Sequence, residues 1–586
     1  MSTNISKQKR EDLLYKIEEI RKYMKNNLYD ENVRNLMGYL NELTTQINGQ
    51  KYGLVFEEHR EKIDEILEDH LPVLTEEKNL FVGNGGEMNF LLEGDNLASL
   101  QLLEKTHKDK IDVIYIDPPY NTGSNDFTYD DNYIDENDGF RHSKWISFME
   151  SRLSKCKELL NETGFIMISI NDIELFALKL LCDKIFDEKN YLANIIWQST
   201  PGSNTGLDIK TVTEYVLCYA KNKSLCATSS RIVSDDDKYT FEDEYVQKRG
   251  KYCLNKLDRR MTGQHYSDAL NYQIKMPDGE MLYPGSSKEK QENWNWRWSE
   301  TKLKWGIEND FIVFKKTKDS WAVYFKQYFS VDNNDKPIQR SLPFQNLIKN
   351  LDGANSARGT QEVMDLFNEK LFDYPKPLNL ISYLLHITAN QSATILDFFA
   401  GSGTTGHAVL KLNSEDGGHR KFILCTNNEN GICRDITYQR LKTVITGERK
   451  DGSKYSDGLP GSLKYFKVDF VPVAEKEYYE YADKLLLHVR ELVELENAVD
   501  FEHNDSVAIV LTEDEMTEFV KSLVSNTHTS TTLSEQTACT VAERSRSRTL
   551  YLGHDVLLSK EQKNLLIENG IEVKIIPQYY YPELNG

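Results

Sequence analysis

The 586-residue chain has no apolar run near the roughly 18 residues that a membrane-spanning helix needs. Its opening, Met1 to Arg10, is polar and lacks the apolar core of a secretory signal. The eight cysteines (Cys156, Cys182, Cys218, Cys226, Cys253, Cys425, Cys433 and Cys539) include no C-x-x-C pair. That excludes the usual zinc spacing and a disulfide framework, so no metal is expected and a reducing cytoplasm is. Positive charge is also short: 71 lysines and arginines against 92 acids leave −21 at pH 7. Nonspecific binding of nucleic acid by the whole surface is excluded, and any such contact is local. No G-x-x-x-x-G-K-[ST] phosphate loop occurs. The length allows about three to four domains, each with ample core.

What is present centres on Ile111-Asp-Val-Ile-Tyr-Ile-Asp-Pro-Pro-Tyr120. Its β-branched, apolar start reads as a strand buried on both faces. Two consecutive prolines then stop the ladder, because neither has a backbone N–H. A rigid, acid-bearing turn at the carboxyl end of a buried strand is where open α/β sheets place their chemistry. A plain proline turn is the rival reading. Asp117-Pro118-Pro119-Tyr120 suits methylation of an exocyclic amine, whose lone pair is delocalised into its ring. The Asp117 carboxylate and the Pro118 carbonyl can each accept one N–H and draw the lone pair toward an electrophile. Pro119 stiffens the loop, and Tyr120 offers a ring on which an extruded base can stack.

In chain order, residues 1–75 read as a charged helical region, with apolar positions near a 3.6 period in Lys7–Met24. A catalytic half spans 76–221. In it, Asn89–Asn96 is a strand and turn, with Asp95 or Asn96 as the cap of a following helix. The polar stretch Asn121–Asn132 reads as a loop over the site. A helix at Ser143–Leu160, a buried strand at Thr163–Ile170 and a further strand pair near 192–198 and 214–221 continue a βαβ alternation, hence a parallel sheet. Between 221 and 350 the texture changes, with 23 lysines and arginines against 18 acids and five of the seven tryptophans. Residues 222–355 are therefore read as an inserted unit, either a DNA-reading domain or an ordinary α+β insert with core tryptophans.

The second half, 356–450, carries Pro375-Lys376-Pro377 before a helix, then Asp397-Phe398-Phe399-Ala400-Gly401-Ser402-Gly403-Thr404. Thr394–Phe398 reads as a strand, the glycines as a tight turn, Thr404 as a helix start. The spacing Gly401, Gly403, Gly406 also fits a dinucleotide site. Asp397 argues against that, since an acid beside the glycines repels a pyrophosphate but suits a sulfonium and an amino group. No early acid ends the next strand either; Glu429 comes late. Residues 451–586 read as a small C-terminal α/β unit after a Gly/Ser/Asp-rich linker. Its strands are expected at 507–511, 550–552 and 571–576, with helices at 513–523 and 560–568. The Ser/Thr-rich stretch 525–548 reads as a flexible insertion.

The order Gly94-Asp95, Asp117–Tyr120, insert, Phe372–Pro377, Asp397–Gly403 resembles the β-class amino-methyltransferases. Longer stretches, Asp117–Phe127, Ser143–Leu153 and Asp397–Ala408, resemble the modification subunit of type III restriction–modification systems. The resemblance implies a Rossmann-like, S-adenosylmethionine-dependent α/β sheet with an inserted target-recognition domain, and methylation of adenine N6 in double-stranded DNA. It implies catalysis by Asp117, Pro118, Pro119 and Tyr120. The cofactor would be held by Asp95, Asn96, Pro375, Lys376, Pro377, Asp397, Phe398, Phe399, Ala400, Gly401, Ser402, Gly403 and Thr404, with Asn427 or Glu429 on its ribose. It also implies a homodimer that joins an ATP-dependent restriction subunit; ATP use and cleavage then lie outside this chain. No Pro-Cys pair stands in for the nucleophile of carbon-5 cytosine methyltransferases. An N4-cytosine methyltransferase and a silent DNA-specificity module remain the alternatives.

Overall fold

The computed structural model describes residues 13–22, isolated positions from there to 56, and 59–580 apart from 124–127, 130–131, 134–137, 202–208, 227, 233–237, 262–264, 317–319, 350–353, 473–484, 486, 501–506, 529–547 and 577–578. Residues 13–22 are helical, and so is α1 (Lys62–Asp69). Most of residues 1–58 of the expected N-terminal helical region, much of the loop after Asn121 and most of the 525–548 insertion lie outside the described residues. What is described of that loop includes a short hairpin, Thr128–Tyr129 with Asn132–Tyr133, where only loop was expected.

Eleven strands form one sheet: β1 (His70–Glu76), β2 (Val82–Gly83), β3 (Met88–Glu93), β4 (Ile111–Ile116), β5 (Leu160–Ile170), β6 (Tyr191–Gln198), β7 (Thr213–Ala220), β8 (Leu347–Ile348), β9 (Thr394–Asp397), β10 (Lys421–Thr426) and β11 (Ser462–Pro472). Their spatial order is β1-β11-β3-β10-β9-β4-β5-β7-β6-β8, with β2 added to β11. From β11 to β5 every neighbouring pair is parallel. β1 and β7 pair antiparallel with their neighbours.

The strands are apolar on both sides because helices cover both faces. Ile114, Ile116, Ile166 and Leu396 point into one core, under α2 (Asn96–His107), α3 (Arg141–Leu159) and α4 (Leu175–Phe186). Val113, Tyr115, Phe165 and Ile395 point into the other, under α5 (Ser356–Phe367), α6 (Leu378–Leu385), α7 (Thr404–Asp416) and α8 (Tyr438–Thr446). The decisive pairing is β9 with β4, Ile395 opposite Val113 and Leu396 opposite Ile114. Some 280 residues apart in sequence, the glycine turn and the proline turn leave the same edge of the sheet side by side, at the kind of switch point where open α/β sheets bind ligands.

Two elements depart from the expectation. His70–Glu76 is a strand, not the end of a helical region, and Ser462–Pro472 belongs to the central sheet beyond the boundary expected at 450. Lys464 hid the second strand's burial: it is 2% exposed and paired with Glu76, Glu494 and Asp500. A buried charge that carries its own partners reads locally as surface.

The insert has its own core. An antiparallel sheet of Tyr252–Lys256, Trp321–Tyr328 and Ile312–Lys316 packs with the helix Glu300–Glu308 around Trp296, Trp298, Phe311 and Tyr328. The C-terminal unit is a parallel three-stranded sheet, Val507–Val510, Arg548–Gly553 and Ile571–Ile576, close to the expected limits. It is fastened to the main sheet through Glu496 on α9 (Val489–Asn497), which receives Lys110 Nζ at 2.8 Å, Tyr580 Oη at 2.7 Å and Tyr551 Oη at 3.0 Å. Burial alone would raise this carboxyl, but Lys110 and the tyrosine hydroxyls outweigh it and bring it down to about 2. The depressed value means that the stabilisation, about 3 kcal/mol, is present above the ordinary carboxyl range and is lost as pH falls from about 4.5 toward 2. Glu496→Gln should therefore lower the denaturation midpoint at pH 7. Its deficit against the unmodified protein should shrink as the pH drops below 4.5, which a denaturant titration at several pH values reads directly.

Candidate active site

The proline turn is held from two helices. The Trp145 indole on α3 donates to the Pro119 carbonyl at 2.7 Å, the one after the predicted acceptor of Pro118. Asn121 follows with φ +57° and is fully buried. Its amide donates to Glu174 Oε1 at 2.6 Å, and His142 Nδ1 lies 2.6 Å from the same oxygen. The Ser143–Leu160 pattern thus does more than pack: it fastens the turn.

The glycine turn is braced from behind. Gly401 and Gly403 have φ +50° and +77°, which side chains with a Cβ rarely adopt. A Cβ on Gly406 would meet Leu441 at 2.7 Å, so the third glycine serves close helix packing rather than any ligand. Thr437 donates to the Gly401 carbonyl at 2.6 Å from a π-helical segment, Ile432–Thr437. The buried Arg440 donates to Thr404 Oγ1 at 2.8 Å and Ser402 Oγ at 3.1 Å. Asp397 is 2% exposed and accepts from Thr405 Oγ1 at 2.6 Å and from the Phe399 N–H at 3.0 Å. Burial pushes its carboxyl up to about 7 against those two hydrogen bonds. It shapes the turn from inside instead of lining the space in front of it.

That space is a cavity of about 620 Å³ between the two turns, within the size range of cofactor sites. Of the residues predicted to meet the cofactor, Asp95, Asn96, Phe398, Phe399, Gly401, Asn427 and Glu429 line it, and so do Asp117 and Pro119. Pro375, Lys376, Pro377, Asp397, Ala400, Ser402, Gly403 and Thr404 do not. Asp95 also caps α2, accepting from the Leu97 N–H at 2.7 Å and the Ala98 N–H at 3.3 Å. A second cavity of similar volume, around Asn368, Asp435 and Arg449, is lined by none of the predicted residues.

Sequence reasoning missed the opposite wall. Arg152 on α3 is 1% exposed and donates to Glu61 Oε1 at 2.6 Å and to the Phe148 carbonyl at 2.9 Å, with Asp95 Oδ2 at 3.6 Å. It also stacks over the Phe148 ring, 3.7 Å from the centroid. Burial raises the Glu61 carboxyl, and Arg152 opposes that. The available signal was a charge seven residues after Trp145 and four after Phe148, on the apolar side of an amphipathic helix.

The cavity's donor set tests what it can hold. Its lining has four carboxylates (Glu61, Asp95, Asp117, Glu429) against Lys62 and Arg152, and Arg152 is spent on Glu61 and Asp95. A pyrophosphate would be repelled. A ligand with a sulfonium and an ammonium group fits, with Asn427 and Glu429 at the end of β10 able to accept hydroxyls.

Lys376 lies on the other side of the proline turn. Its ammonium is 2.9 Å from Asp117 Oδ1, 3.5 Å from Glu214 Oε2 and 4.7 Å from the centre of the Tyr120 ring. Glu214 in turn accepts from Tyr120 Oη at 3.1 Å. Burial alone would lower the Lys376 ammonium, but Asp117 and Glu214 outweigh it and hold it above its ordinary value. Burial, reinforced by Asp117 and Glu214, holds the Tyr120 hydroxyl well above the usual phenol range. Lys376 thus ties both ends of the proline turn into one ionic cluster.

An open, mainly parallel sheet with these two turns facing each other across its switch point is a Rossmann-like methyltransferase fold. The chain belongs to the DNA methylase family, whose profile matches residues 111–438. It is 32% identical over 409 residues to the StyLTI Mod subunit, a type III restriction–modification enzyme of Salmonella typhimurium, covering 63% of this chain and 57% of that protein. It is 33% identical over 404 residues to the type II methyltransferase M.KpnI of Klebsiella pneumoniae, covering 64% and 90%. The type III EcoPI Mod subunit of Escherichia phage P1 is 31% identical over 59% of this chain and 58% of its own. The chain spans little more than half the length of these two Mod subunits. Among solved structures it is similar to the PvuII DNA methyltransferase (cytosine-N4-specific), at 11% identity and a TM-score of 0.30 over 59% of this chain and 86% of that one. Another is the M1.HpyAVI–SAM complex, at 14% identity and a TM-score of 0.28 over 60% and 98%.

Proposed function

We propose that this protein is a site-specific DNA methyltransferase that moves a methyl group from S-adenosylmethionine to adenine N6 in a short double-stranded motif, as the modification subunit of a type III restriction–modification system. The observation that carries this reading is the position of Asp117 and Pro119 on the wall of an acid-lined cavity whose far side is Phe399, Gly401 and Asn427. S-adenosylmethionine supplies an electrophilic methyl group to the site.

The chain's own residues do the rest. The Asp117 carboxylate and the Pro118 carbonyl accept the two N–H bonds of the exocyclic amine, pulling its lone pair out of the ring. The amine nitrogen would take the methyl group as the methyl–sulfur bond breaks and leaves a neutral thioether; the carboxylate offsets the positive charge on nitrogen in between, and the proton then shed goes to solvent by way of that carboxylate. The Tyr120 ring stacks the base, which must leave the duplex because N6 is paired there. Holding both reactants in one cavity supplies much of the rate. The insert 222–355 is the target-recognition domain, the chain works as a homodimer, and a separate ATP-dependent restriction subunit completes the system.

Purified protein incubated with S-adenosylmethionine and genomic DNA, followed by modification-sensitive sequencing, tests this. N6-methyladenine at one short asymmetric motif is the expected product. N4-methylcytosine would change the base assigned. Cofactor binding without any methylation would support a silent specificity module, and failure to bind the cofactor would overturn the reading.

A further inference from the structure

Glu214 has no task in that reaction, and no motif marks it. It stands at the second position of β7, among apolar residues that pair with β5 and β6. Yet its carboxylate sits in the catalytic cluster, 3.5 Å from the Lys376 ammonium and 3.1 Å from the Tyr120 hydroxyl. Lys376 approaches Asp117 at Oδ1, an oxygen shielded from solvent, while the Asp117 side chain as a whole is 26% exposed and lines the cavity. Oδ2 is therefore the oxygen that faces an incoming amine. Two carboxylates share one ammonium here, so the cluster keeps one net negative charge.

We propose that Glu214 is a positioning residue for methyl transfer: by sharing Lys376 with Asp117 it keeps a full negative charge at the amine-accepting carboxylate, and it anchors the Tyr120 ring. This rests on the methylation reading above. The amine nitrogen passes from neutral to cationic as the methyl group arrives. A carboxylate whose charge is cancelled by its own buried lysine stabilises that change poorly. Glu214 takes part of the lysine's charge away from Asp117 without touching the base. Its hydrogen bond to Tyr120 also fixes the ring that the Lys376 ammonium sits over. Asp117 sets where the amine goes; Glu214 sets how much charge it finds there.

The test is a charge-compensation cycle. Glu214→Gln keeps the shape and an acceptor for Tyr120 but leaves Asp117 and Lys376 as a neutral pair. Its single-turnover methylation rate, at saturating cofactor and DNA, should fall by about 10- to 100-fold, while DNA affinity changes less than about threefold. Adding Lys376→Met returns the cluster to one net negative charge, and the double variant should be at least about tenfold faster than Glu214→Gln alone. Thermal melting checks folding, and Lys376→Gln repeats the cycle if the methionine variant does not fold. A Glu214→Gln variant as fast as the unmodified protein, or a double variant no faster than Glu214→Gln, would overturn the inference while leaving the methylation reading intact. Absence of methyl transfer by the unmodified protein would overturn both.

Discussion

Asp117→Ala should abolish methylation, with a single-turnover rate at least about a thousandfold lower, while the protein still folds and binds S-adenosylmethionine. The size follows from the role proposed for the carboxylate: it would accept an N–H of the amine and oppose the charge that forms on nitrogen, an interaction that strengthens in the transition state. Losses of that kind appear in kcat and leave binding nearly untouched. The fold survives because the truncation strands no buried ion. Lys376 retains Glu214, 3.5 Å away, and the Pro119 carbonyl keeps its hydrogen bond from Trp145. Calorimetry for the cofactor and a rapid-quench assay for the methyl group separate the two quantities. Turnover at the normal rate would remove Asp117 from the mechanism.

Arg152→Met should do the reverse, costing stability and cofactor binding together. Arg152 is 1% exposed, and its removal leaves Glu61, itself only 13% exposed, without its counter-charge. Breaking a buried pair from one side costs about 3–5 kcal/mol. The same guanidinium donates to Asn96 Oδ1 at 2.5 Å and lies 3.6 Å from Asp95 Oδ2, so the wall that presents both residues to the cavity loses its brace. Cofactor affinity should fall at least about tenfold. Arg152→Lys should not restore it, because an ammonium cannot reproduce a fork that serves Glu61, Asn96 and the Phe148 carbonyl at once. Equilibrium denaturation and cofactor titration on both variants decide it; unchanged affinity in Arg152→Met would show the wall to be rigid without its arginine.

The two largest expected effects therefore fall on residues of different legibility. Asp117 stands out in the chain because two prolines end an apolar strand immediately after it. The glycine turn stands out because φ values of +50° and +77° demand glycine locally. Turns of this kind are written in a few adjacent residues, and so were the strands around them. The C-terminal unit was legible for the same reason, since each of its strands is a short apolar run between polar breaks. Arg152, Glu61 and Glu214 carry no such local mark. Each is an ordinary charged residue in an ordinary element, given its role by partners dozens to hundreds of positions away.

Lys376 shows the division most clearly. The family resemblance of Phe372–Pro377 made it an expected cofactor-site residue, yet its neighbours in space are Asp117, Glu214 and Tyr120 rather than the cofactor cavity. Asp397 behaves likewise: its position before the glycines was evident, its inward turn toward Thr405 was not. Position along an element follows from periodicity and backbone restriction, which are properties of neighbouring residues. The direction of a buried charge follows from where its counter-charges arrive, and that is settled only when β4 and β9 pair and the helices close over them. By itself the sequence determined the two turns, the strands that bear them and the chemistry they suit. Only the tertiary structure decided which carboxylates face the cavity and which ammonium holds them, because a buried ion is placed by the partners that offset its desolvation.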